Sequence, residues 1–134
     1  MPAVPLFTSS TWIALRRERA DRRHRRRRQA GEPDVVKNYP SSFEKTNLDD
    51  LLKGFGVEEV TLAGCMTHVC VNSTARAAFN HGYRATVVGN ATATRSLPNP
   101  AGGVVSAKDL HDASLAALHD IFAVVVPAAD DVTA

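Results

Sequence analysis

The chain has 134 residues, 44% of them hydrophobic and 22% charged, which suits one small globular domain rather than a disordered or fibrous protein. No apolar run approaches the roughly 18 to 20 residues of a membrane-spanning helix. The net charge of +2 averages two unlike parts: residues 1–31 set nine Arg against Glu18 and Asp21, whereas residues 32–134 set seven basic residues against twelve acidic ones.

That contrast predicts a boundary near Gly31. Residues 1–31 are expected to be a basic segment, disordered or non-native, and residues 32–134 the folded domain. The run Arg16 to Arg28 (RRERADRRHRRRR) has only Ala20 as an apolar residue, so it has no helical stripe to bury. Clustered Arg would neutralise phosphates, which makes a nucleic-acid-binding arm one reading. The run has no aromatic residue to stack on bases, and no binding motif follows it, so that reading is disfavoured. The first ten residues do not read as a secretory signal, because Pro5 and the polar Thr8 to Thr11 break the apolar stretch. Two cysteines, Cys65 and Cys70, make neither a disulfide framework nor the paired pattern of a structural zinc site. A reducing cytoplasm is the expected compartment.

From Asp34 onward, strand and helix patterns alternate. Asp34 to Lys37 is a short strand-like run. Thr46 and Asp49 resemble a capping box before a helical face of Leu48, Leu51 and Leu52, which Gly54 and Gly56 end. Val57 to Ala63 reads as a strand entering Gly64. A helix from about Val69 to His81 follows, with Gly82 as its C′ residue. Tyr83 to Val88 is the next strand, and a loop rich in Pro and Gly leads to Ser106 and Asp109, a second capping pattern. The helix after it presents Leu110, Leu115 and Leu118, and Phe122 to Val126 closes the chain as a strand. Single helices between Val-rich strands imply right-handed crossovers and a parallel sheet, an α/β fold.

Ligands in such sheets bind beyond the carboxyl ends of the strands. Lys37 and the stretch Gly64 to Cys70 are expected there. At a helix start, backbone N–H groups and the helix dipole favour a thiolate, and a nearby ammonium favours it further. Cys70 is therefore a candidate nucleophile, with a buried packing cysteine as the alternative. Cys65 lies further from the helix start. His68, His81, His111 and His119 show no ligand spacing and read as surface or packing histidines, so no metal or other cofactor is expected.

Two sets of residues carry a resemblance. Val36-Lys37-Asn38-Tyr39-Pro40-Ser41-Ser42-Phe43 is one, and Gly64-Cys65-Met66-Thr67-His68-Val69-Cys70-Val71 with Ser73-Thr74-Ala75 is the other. Together with Gly82-Tyr83-Arg84, Ala91 to Arg95 and the late helix around Leu110-His111, they resemble the isochorismatase-like cysteine hydrolase family over about residues 32–126. The resemblance implies a three-layer α/β/α fold with a mostly parallel, Rossmann-like sheet, here N-terminally incomplete. It also implies Cys70 as nucleophile, Lys37 as its charged neighbour, the backbone N–H groups of Met66 and Cys70 as an oxyanion hole, and a cis peptide between Cys65 and Met66. The implied reaction is hydrolysis of a small amide or related C–N substrate, by a homo-oligomer with no membrane association.

The family also places an Asp, the general base, at the end of its first strand. Nothing here matches it, because Asp21 lies in the Arg run and Asp34 immediately precedes the Lys37 strand. A truncated or frame-shifted start joined to an authentic body is the expected cause. Two consequences are expected: an unpaired edge on the Val57 to Ala63 strand, and little or no amide turnover. A non-catalytic remnant or interaction module of the same fold is the alternative function.

Overall fold

The computed structural model describes residues 5–8, 11–15 and 33–132. The Arg run falls outside them. The elements in chain order are β1 (Pro5–Thr8), β2 (Thr11–Leu15), β3 (Asp34–Val35), α1 (Leu48–Gly54), β4 (Glu59–Cys65), a π-helical turn (Thr67–Val71) continuous with α2 (Asn72–Asn80), β5 (Arg84–Ala93), β6 (Leu97–Pro98), β7 (Val104–Val105), α3 (Ala107–Ile121) and β8 (Val124–Val126). One six-stranded sheet runs β3-β1-β2-β4-β5-β8, and β6 pairs with β7 apart from it.

The α/β class holds. The β4-α2-β5 and β5-α3-β8 units are parallel crossovers, as strands alternating with single helices require. Leu48 and Leu52 of α1, Val60 and Leu62 of β4, Val87 of β5 and Leu118 of α3 are all buried in one core. Each such side chain contributes about 1.5–3 kcal/mol through burial. In β4 the buried residues Val60 and Leu62 alternate with half-buried Thr61 and Ala63, as the strand period of two demands.

Local signals account for most element ends. Asp49 and Asp50 lie in the first turn of α1 and Lys53 in its last, in keeping with the helix dipole. Gly82 follows α2 with φ 86°, a conformation glycine adopts without steric cost. The Ser106 side chain caps α3 by accepting from the Asp109 N–H at 3.0 Å. The Thr46 pattern behaves otherwise. Asn47 is the N-cap of α1, without a side-chain cap bond, and the Thr46 hydroxyl donates to the Ser42 carbonyl at 2.6 Å while accepting from the Leu48 N–H at 3.2 Å. The competing acceptor is the carbonyl of Ser42, four residues earlier, in the turn that precedes the helix.

Two further differences come from strand pairing and a third from a helix start. The expected unpaired edge on β4 is covered by β2, which runs antiparallel to it from Thr11↔Gly64 to Leu15↔Val60. Sheet pairing therefore joins strands from both sides of Gly31, while charge patterning reports only the Arg run that separates them. β5 continues beyond Val88 to Ala93, because its pairing with β4 resumes at Gly64↔Thr92 and Cys65↔Ala93 after a register shift. Such a bulge re-aims the strand end. Finally, the helix expected from Val69 begins earlier, at Thr67, with a widened turn in which the Val71 N–H bonds to the Met66 carbonyl at 3.3 Å.

Candidate active site

The site lies at the carboxyl end of β4, where a parallel α/β sheet offers its crevice. Gly64 has φ 129°, a region that favours glycine. The Cys65–Met66 peptide that follows is cis. Met66 leads into the π-helical turn, and its carbonyl accepts from both the Val69 N–H at 3.0 Å and the Val71 N–H. This turn carries Cys70, which is partly buried, whereas Cys65 is exposed. Neither cysteine is disulfide-bonded.

Lys37 enters from the loop after β3. Its ammonium donates to the Tyr39 carbonyl at 3.0 Å, the Pro40 carbonyl at 2.9 Å and Cys70 Sγ at 3.3 Å. An ammonium has three N–H donors and no acceptor, so these three contacts use its full donor capacity. The two carbonyls come from the chain immediately after Lys37, which folds the loop back over its own side chain. Local backbone thus aims a positive charge at sulfur supplied from 33 residues away.

The same loop is fastened to the helix that bears the cysteine. Ser42 and Thr74 are both fully buried. The Ser42 N–H donates to Thr74 Oγ1 at 3.0 Å, and the Thr74 hydroxyl donates to Ser42 Oγ at 3.2 Å. Thr74 lies four residues beyond Cys70, so the two share one helical face. Nothing in the sequence pattern pairs Ser42 with Thr74. The signal that could have found their contact is the pairing of two polar residues with two otherwise apolar patterns, since buried hydroxyls require partners.

The four histidines have separate partners. Thr67 Oγ1 and His111 Nδ1 are 2.9 Å apart, and His68 Nδ1 is bonded to Thr94 Oγ1. His81 stacks on Phe43 with ring centroids 4.8 Å apart, and His119 Nδ1 accepts from the Val125 N–H at 3.2 Å. Among the described residues, no group of three or more His, Cys, Asp or Glu side chains could hold a metal ion. Asp34 lies exposed on β3, and Asp21 is outside the described residues.

Comparison with known proteins gives this arrangement a lineage. The isochorismatase domain family matches residues 11–130. The chain belongs to the isochorismatase family. It is 35% identical over 127 residues to the secreted isochorismatase effector Isc1 of Verticillium dahliae, covering 95% of this chain and 61% of that one. It is 39% identical over 92 residues to Nicotinamidase 3 of Arabidopsis thaliana, covering 69% and 41%. An isochorismatase crystal structure from Pseudomonas putida KT2440 superposes with TM-score 0.74 at 36% identity, covering 78% of this chain and 53% of that one. This isochorismatase-family chain therefore has the α/β fold of the three-layer isochorismatase-like proteins, and it spans about half the length of the relatives it matches. No described helix is long and apolar enough to cross a membrane.

Proposed function

We propose that the chain carries the thiol centre of an isochorismatase-family cysteine hydrolase acting on a small amide or related C–N substrate. The observation that carries this reading is the Lys37 ammonium held 3.3 Å from Cys70 Sγ by two backbone carbonyls. A fixed positive charge beside sulfur favours the thiolate, which is the nucleophilic form. In the proposed reaction, Sγ attacks the substrate carbonyl carbon and the carbonyl electrons move onto oxygen. The N–H groups of Met66 and Cys70 stabilise that oxyanion, a contribution typically worth about 100- to 1,000-fold in rate per donor. The C–N bond then breaks as nitrogen takes a proton from solvent, the amine leaves, and water hydrolyses the thioester to restore the thiol. The likeness to a nicotinamidase supports an amide as the substrate class.

Nucleophile and base make separable demands. Amine departure requires a proton donor, which the resemblance assigns to an Asp on the first strand, whereas neither Pro5–Thr8 nor Thr11–Leu15 contains Asp. An activated ester needs no proton on its leaving group, so it reports on the thiol alone. The test is p-nitrophenyl acetate treatment followed by intact-mass and peptide mass spectrometry. Acylation is expected at Cys70 ahead of Cys65, with slower release of ammonia from small carboxamides. Acylation at both cysteines alike, or ammonia release that survives Cys70→Ala, overturns the reading.

A further inference from the structure

We propose that His111 of α3 is a positioning residue for the turn that carries Cys70. The turn begins at Thr67, whose side chain is fully buried. A buried hydroxyl without a partner is costly, and this one finds its partner in His111 Nδ1 at 2.9 Å, 44 residues later in the chain. The next residue, His68, is bonded by its own Nδ1 to Thr94, just past the end of β5. Two consecutive residues are thus tied by side chains to two different elements, α3 and the β5 terminus. Thr67 directly follows Met66 and lies three positions before Cys70, so a rotation of the turn about either tie would move both the Met66 N–H and the sulfur.

The tie to His111 has few substitutes. α3 is anchored at its start by the Ser106 cap and by the Ala107 N–H donating to Ser96 Oγ at 3.0 Å. His111 therefore projects just beyond the anchored first turn of a helix whose Leu118 is wholly buried. Its ring reaches a hydroxyl that the π-helical turn itself leaves to a side-chain partner. This role rests on the reading of Cys70 as nucleophile, but it concerns how the sulfur is held rather than what it attacks.

The experiment measures iodoacetamide alkylation of Cys70 in the full chain, with exposed Cys65 as the internal reference, by peptide mass spectrometry. His111→Leu and Thr67→Val are each expected to slow Cys70 by about five- to tenfold, the worth of one net hydrogen bond. The double variant should lose no more than either single one, because both remove the same bond. His111→Asn, which retains a polar atom near the Nδ1 position, should restore the rate to within about twofold, and Thr67→Ser should do the same. Circular dichroism identifies any variant that fails to fold, and the Thr67→Val and Thr67→Ser pair then carries the comparison. An unchanged or raised Cys70 rate in folded Thr67→Val or His111→Leu, or additive losses in the double variant, overturns the proposal. A wild-type Cys70 no faster than Cys65 would instead count against the nucleophile, and the change caused by substitution would still be read from the Cys70 rate itself.

Discussion

Thr74 receives the Ser42 N–H at 3.0 Å one helical turn beyond Cys70, and both residues are fully buried. The loop that delivers Lys37 is therefore stitched to the helix that delivers the sulfur. Contact between the ammonium and the sulfur depends on this neutral pair as well as on the Lys37 side chain.

Thr74→Val preserves shape but removes the acceptor, leaving the Ser42 N–H buried without that partner. A loss of about 1–3 kcal/mol is expected, read as a lower urea midpoint with an unchanged slope. Thr74→Ser should recover most of it. A Thr74→Val protein as stable as the parent would mean that the loop finds another partner for Ser42.

Lys37→Met removes the ammonium while keeping a stem of similar length. Cys70 alkylation at neutral pH should slow by on the order of tenfold, because the thiolate loses its neighbouring positive charge. Lys37→Arg is not expected to rescue it fully, since a planar guanidinium cannot repeat the three-way contact with the Tyr39 and Pro40 carbonyls and sulfur. Equal alkylation rates in the parent and Lys37→Met would show that the ammonium is a structural prop only.

At the opposite end of β5, Asp49 provides a pH dependence that is independent of the site. Hydrogen bonds from Lys53 at 2.6 Å and from the Tyr83 hydroxyl at 2.7 Å hold its carboxyl below the ordinary value of 3.8. A depressed carboxyl stabilises the fold above its unfolded pKa, and that share is lost as pH falls below about 4. Burial, followed by the hydrogen bond to Asp49, pushes the Tyr83 phenol upward, so its share is present below about 10 and lost at higher alkaline pH. Urea midpoints measured across pH should therefore fall less steeply on acidification in Asp49→Asn, and less steeply above pH 10 in Tyr83→Phe. Parallel profiles for parent and variants would remove this cluster from the stability balance.

Leu62→Ala opens a cavity in β4 where the side chain is wholly buried. A cost of about 2–5 kcal/mol is expected, measured by urea or thermal unfolding. Because β4 leads through Gly64 to the turn at Thr67, residual folded protein should also alkylate Cys70 more slowly relative to Cys65.

Local patterns made much of this protein readable from its residues alone. The α3 cap at Ser106, the glycine after α2, the leucine face of α1 and the order of strands and helices around β4, β5 and β8 all depend on neighbours within a few positions. The same holds for the motif that drew attention to Lys37 and Cys70. Tertiary structure decided the rest, because each of those features needs a partner distant in sequence. β5 looks finished at Val88 until Cys65 pairs with Ala93. β4 looks like an open edge until β2 pairs with it from across the Arg run. Thr67 and His111, and likewise Ser42 and Thr74, are unremarkable polar residues in their own windows. Only burial forces each hydroxyl to find a partner, and burial is a property of the packed chain rather than of any segment of it.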